Sequence, residues 1–124
     1  MKVRSFKVHF SRVVPDDAHE LEFGPDDYLV IRPLFGMPAS RLQEYVKRIS
    51  ELGEDTDQEA IDGLLFDMLE EAVSEWHLSD EQGLAIPKPT TGTELRALPG
   101  ALAGNLFAFL SNYRGDAPNP TTPR

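Results

Sequence analysis

Cysteine is absent from this chain of 124 residues. Its absence excludes a disulfide scaffold, a thiol nucleophile and thiolate zinc sites, and it suits a reducing compartment. Long apolar runs are missing too, since none approaches the roughly 18 residues needed to span a bilayer. The opening Met1-Lys2-Val3-Arg4-Ser5-Phe6 lacks the apolar core of a signal peptide. A protein with no membrane partner, staying where it is made, is the expectation. Lys and Arg are absent from Ile49 to Pro87, whereas twelve carboxylates fall between Glu51 and Glu81. The formal net charge is -9. Such a surface repels nucleic acid, because phosphate binding relies on Lys and Arg displacing counterions. It serves either as a solvated helix face or as an attractor for a basic partner.

Groupings that carry chemistry are equally scarce. Carboxylates pair at Asp16-Asp17, Asp26-Asp27 and Glu70-Glu71. Acid–base catalysis needs two carboxylates in different environments, which neighbours on exposed turns do not supply. His9, His19 and His77 fall on separate elements without the i, i+4 spacing of a zinc-binding helix. No Gly-x-Ser-x-Gly elbow and no phosphate-cradling glycine loop occurs. Asp80-Glu81-Gln82-Gly83 begins like a calcium loop, but Leu84, Ile86 and Pro87 stand where ligands would be required. The chain reads as a non-enzyme with no metal and no cofactor.

What is present suggests an α+β fold. Apolar residues make up 40 % of the chain, enough for one packed domain. Over Val3–Phe10 the residues Phe6, Val8 and Phe10 alternate with Lys7 and His9, which reads as a half-buried strand. Further strands are expected at His19–Phe23 and Tyr28–Arg32, forming a small N-terminal antiparallel sheet. Helices are expected near Ser40–Leu52, Thr56–Glu75 and Pro99–Tyr113, with a short turn over Thr93–Leu98. Capping boxes are read at Ser40/Gln43 and Thr56/Glu59, and Gly53 and Gly115 as helix stops. Gly63 either weakens the second helix or marks close backbone packing. The domain covers 1–115, β-rich over 1–33 and helical over 38–113. Residues 116–124, rich in Pro and Thr, read as a flexible tail.

The most telling stretch is Leu64 to Pro89. An apolar helix stripe hands over to an extended segment at Trp76-His77-Leu78, a polar turn Ser79–Gly83 follows, and Leu84 to Ile86 are expected to return beside Trp76 to Leu78. Trp76, the single tryptophan, is either a core residue or an interface anchor. Phe107 and Phe109 lie on opposite sides of the last helix, so one of them is expected on a contact surface.

These features resemble the tail assembly chaperones of long-tailed bacteriophages, particularly those of actinobacterial phages. The likeness rests on a β-rich start with Phe-x-Val-x-Phe and Leu-Glu-Phe-Gly, and on an acidic helix pair ending in Glu-x-x-Val-x-Glu-Trp-x-Leu from Glu70 to Leu78. The Asp80-Glu81-x-Gly83 turn with its Ile86-Pro87 exit follows, then a helix from Leu98-Pro99 to Tyr113 and a Pro/Thr tail. The resemblance implies a host-cytoplasmic protein that binds the tape measure protein, keeps its long helices soluble, and is absent from the finished particle. Tail tube protein as a further partner and self-association in several copies are also implied. The alternative is a structural phage protein retained in the virion, such as a head–tail connector or decoration component. An escort of a long amphipathic helix needs an apolar groove and a charged exterior. The groove is expected between the second and last helices, at Leu65, Met68, Leu69, Phe107 and Leu110, with Trp76 as a further partner-binding candidate. Met68 suits it because a flexible thioether adapts to varied sequence.

Overall fold

Period-two alternation makes Phe6–His9 a strand (β1), and it pairs antiparallel with Tyr28–Ile31 (β2), Phe6 opposite Ile31 and His9 opposite Tyr28. A computed structural model describes residues 1–116. The third strand is not His19–Phe23. It is Val73–His77 (β3), which pairs antiparallel with β2 and gives the order β1-β2-β3. Segment His19–Phe23 makes no ladder, although Leu21 and Phe23 pack half-buried against the core. Val73 and Trp76 stand three residues apart, a helical spacing. A bulge at Val30/Ile31 absorbs the extra residue, Ser74, so that Val73 faces Ile31 and Trp76 faces Leu29. Both therefore share the core face of the sheet despite breaking the alternation.

Four helices follow, α1 (Ala39–Ser50), α2 (Gln58–Ala72), α3 (Gly92–Ala97) and α4 (Gly100–Asn112), with α2 packed on the sheet and on α4, and α3 on α4. The expected α+β architecture is present, with the second helix three residues shorter at its end because β3 takes the chain over. Val8, Leu29 and Ile31 from the sheet meet Leu64, Met68 and Leu69 of α2 and Leu102, Leu106 and Leu110 of α4, all buried. Truncating one such leucine to Ala costs about 2–5 kcal/mol by lost transfer energy plus the cavity left behind. No described helix is long and apolar enough to cross a membrane.

The helix ends differ from the expected caps. Ser40 lies inside α1, whose entry is made by Pro38: its carbonyl accepts from Arg41 and Leu42 N–H at 2.9 and 3.0 Å. Asp57, not Thr56, caps α2, its carboxylate accepting from Glu59 N–H at 3.2 Å, while Thr56 Oγ1 accepts from Gly53 N–H. A side chain one residue nearer the first turn wins because it reaches the orphan donors with less backbone distortion. Thr91 caps α3 by accepting from Glu94 N–H, and Glu94 turns back to Thr90. Those Thr90 bonds hold the Glu94 carboxyl below the usual range. Gly63 faces open space, so it does not mark close packing.

Helix α1 fully buries only Tyr45, packs Leu42 and Ile49 half-buried against the core, and is joined to α2 by ion pairs as well. Arg41 forks onto Glu71, and Arg48 reaches Asp67 at 2.7 Å. The Tyr45 ring lies beneath both guanidiniums, 5.3 and 6.0 Å from its centre, and burial raises its phenol pKa. The two ion pairs are part-exposed, so each contributes at most about 1 kcal/mol.

Past α4 the chain is anchored. Gly115 adopts φ +106, where a Cβ would sit 2.6 Å from the Phe6 ring, and Asp116 pairs with Arg12 at 2.8 Å. Asp116 thus belongs to the body; the rest of the expected flexible tail, 117–124, lies outside the described residues. Substituting Gly115→Ala should cost about 1–3 kcal/mol from the left-handed backbone alone, with a melting point several degrees lower. An unchanged melt would contradict the seating of Gly115 on Phe6. The Arg12 hydrogen bond holds the Asp116 carboxyl below its ordinary value. Its contribution is present above the unfolded pKa of about 4 and is lost as pH falls through the lower folded value. Asp116→Asn should therefore lower the melting point slightly at pH 7, and the difference from the native protein should fade in acid. A difference that grows in acid would contradict this.

Candidate functional site

Helix α2 passes into β3 without a loop, and this junction is where the site begins. The Lys88 ammonium donates to the carbonyls of Leu69 and Val73, each at 3.2 Å, neutralising the negative end of α2. Lys88 can reach them because the chain has turned back after β3. Asp80 N–H donates to Leu84 O at 2.9 Å and Ile86 N–H to Leu78 O at 2.8 Å. The return is thus as expected in kind but set two residues later, with Leu84–Ile86 beside Leu78–Asp80. Asp80 Oδ1 accepts from Gln82 and Leu84 N–H, both at 2.9 Å, and Gly83 supplies the positive φ of +79 that closes the turn.

One further contact ties this hairpin to the Gly24–Asp27 turn that precedes β2. Asp27 spans both: Oδ2 accepts from Gly24 N–H at 2.7 Å and Oδ1 from Ser79 N–H at 3.1 Å. His9 braces the same corner, with Nε2 donating to Gly24 O at 2.6 Å and Nδ1 accepting from Ser11 N–H at 3.2 Å. The tautomer with hydrogen on Nε2 is the one these partners require. His9 is therefore structural, and no group of three metal-ligating side chains occurs among the described residues.

Between the two turns lies an open groove of about 980 Å³. Its floor is apolar, formed by Leu21 and Phe23 on one side, Leu78 and Ile86 on another, and Leu102 at the start of α4. Its rim carries six carboxylates, Glu20, Glu22, Asp26, Asp27, Asp80 and Glu81, and no Lys or Arg. Asp27 and Asp80 are committed to backbone donors. Glu20, Glu22, Asp26 and Glu81 are exposed and point their charge at solvent or at whatever enters. The groove thus offers burial for apolar side chains and, around it, acceptors for cationic ones.

The six expected partner-binding residues are placed differently. Leu65, Met68, Leu69 and Leu110 are 0–3 % exposed, so the cleft expected between the second and last helices is closed. The two apolar stripes satisfy each other, which is why they read as a groove in the sequence and form a core in the structure. Phe107 is half-buried against that core, and so is Phe109, so the two rings do not divide into one buried and one exposed. Trp76 is half-buried as well and serves the groove from beneath. Its Nε1–H donates to Ile86 O at 2.9 Å, and its ring meets Phe10 edge-on at 4.9 Å. Phe10 in turn stacks on Phe23 at 5.9 Å. The row Trp76–Phe10–Phe23 supports the groove floor. Its members come from distant segments, so only the pairing of β2 with β3 reveals them as one row.

Replacing Trp76 by Phe should remove the Ile86 bond and cost about 1 kcal/mol. Replacing it by Ala should cost more, towards about 3 kcal/mol, because ring packing is also lost. Chemical denaturation of both variants checks the order; equal stability of the native and Phe forms would contradict the role given to the indole N–H. No protein-family model, no curated protein and no solved structure matches this chain.

Proposed function

We propose that this protein is a non-enzymatic escort that binds amphipathic helices, of the kind found among phage tail assembly chaperones. The observation that carries the reading is the groove between the two turns, apolar at its floor and ringed by carboxylates without a single cation. An α-helix about 10 Å across lays an apolar stripe into such a groove, and Lys or Arg flanking that stripe meets the rim. The acidic run from Glu51 to Glu81 adds a solubilising exterior to the occupied complex.

On this reading the partner is the tape measure protein, whose long helices need cover until tube subunits polymerise around them. Tail tube protein is a second partner, and several copies act along one tape measure chain in the host cytoplasm. Apolar burial supplies most of the affinity, while the rim sets orientation and encounter rate. The complex therefore survives moderate salt, with association slowed as screening grows.

Co-expression with a tape measure segment tests this. The segment, insoluble alone, should enter the soluble fraction and co-purify. The Glu22→Lys, Asp26→Lys, Glu81→Lys triple variant, which spares Asp27 and Asp80, should melt like the native protein yet solubilise several-fold less. Met68→Asp is not a useful probe, because it would put an unpaired charge in the core and unfold the protein. A tape measure segment that stays insoluble at every ratio would overturn the reading. Mass spectrometry of purified particles should find no copies; stoichiometric copies there would favour a structural virion protein instead.

A further inference from the structure

The opposite end of the sheet carries a second depression of about 680 Å³, and its chemistry is the inverse of the groove. It opens where Phe6 pairs with Ile31, whereas the acidic groove lies beyond the His9 and Tyr28 end. Four cations surround it, Lys2, Arg4, Arg32 and Arg114, and no carboxylate lines it. In a chain of net charge -9, that local excess is the reverse of the average surface.

These cations also lack carboxylate partners among the described residues. Elsewhere Arg12, Arg41, Arg48 and Arg96 each hold a carboxylate. The four around this depression hold none among the described residues. Arg32 Nε is buried without an acceptor, and the same side chain only brushes Gly36 O at 3.4 Å. A buried guanidinium donor left unpaired costs free energy, so the fold itself does not offset the Arg32 charge. The Arg114 guanidinium is held over the Phe35 ring, 3.9 Å from its centre, which keeps its charge at the mouth.

The walls are apolar. Phe35 is 42 % exposed and Val3 40 % exposed, two of the few large apolar side chains the surface shows. Val3 is seated on the 3₁₀ turn Leu34–Gly36, where a Cβ on Gly36 would come within 2.8 Å of Val3 Cγ1. The arm and the turn thus form one surface. A volume of this size lies within the range of ligand pockets.

We infer that this depression binds an acidic peptide segment of another protein, seating an apolar side chain against Phe35 and Val3 while its carboxylates pair with Arg4, Arg32 and Arg114. Nucleic acid shares the anionic chemistry, but the chain's overall negative field repels a long polyanion. A short segment whose charge matches four cations escapes that penalty. The site is independent of the acidic groove, and its occupant has the opposite charge.

Fluorescence anisotropy tests the inference with a labelled peptide of Leu-Glu-Glu repeats as the probe and the full chain as the receptor. Saturable binding is expected, with little binding of Leu-Gln-Gln repeats. Arg4→Glu with Arg114→Glu should raise Kd at least tenfold, about 1.4 kcal/mol. Lys2→Glu with Arg4→Glu provides a second variant clear of the Phe35 contact and should do the same. Glu22→Lys with Glu81→Lys in the acidic groove should leave Kd unchanged, which separates this site from that one. Equal binding of the Gln peptide, or no binding of the Glu peptide, would overturn the inference. Displacement of the peptide by a single-stranded oligonucleotide at lower concentration would reassign the site to nucleic acid. Concentration-dependent self-association in sedimentation, abolished by the same Arg variants, would reassign it to a second copy.

Discussion

Pairing of Val73–His77 with Tyr28–Ile31 is the interaction on which the other features depend. It makes β2 the central strand and so gives the sheet a face broad enough to bury. It ends α2 at Ala72 and sets that helix over Val8, Leu29 and Ile31. It also brings the Gly24–Asp27 turn beside Ser79, 52 positions further along the chain, so that one carboxylate can hold both. Without this ladder the first two strands would be an isolated hairpin, marginal in water. The Ser74 bulge is the local concession that lets Val73 and Trp76 both face inward.

Charge is distributed around this frame with a consistent polarity. Between α1 and α2, two ion pairs, Arg41 with Glu71 and Arg48 with Asp67, join opposite charges across the helix pair. The two ends of the sheet differ from this. One end gathers carboxylates around an apolar floor, and the other gathers cations around an apolar wall. Carboxylates and guanidiniums left unpaired beside apolar surface are poor at stabilising a fold. Their placement is the ground on which both functional proposals stand.

Much of the fold was legible in the sequence because it rests on local periodicity. The alternation around Phe6, Val8 and Phe10 and the stripes of α2 and α4 answer to elementary geometry. The third strand was legible only in part: an extended segment is readable from Trp76 onward, but Leu69, Ala72, Val73 and Trp76 keep helical spacing, and only pairing with β2 starts the strand at Val73. Segment His19–Phe23 alternates like a strand but joins no ladder, because β1 and β2, which it would separate in a meander, pair with each other directly. The site was harder. Asp26-Asp27 and Asp80-Glu81 were visible as turns, yet nothing in either turn indicates that the two adjoin. Leu65, Met68 and Leu69 looked like groove residues because an apolar stripe does not say whether its cover comes from the same chain.

The central claim is that the space between the two turns is where an amphipathic helix docks. Backbone amide chemical shifts, followed while a helical peptide with one apolar stripe and flanking lysines is added, test it most directly. The account predicts changes concentrated in residues 20–27 and 78–86 and at Leu102, with the amides of α1 unmoved. Changes centred on α1 and the exposed face of α2, leaving the two turns silent, would contradict it.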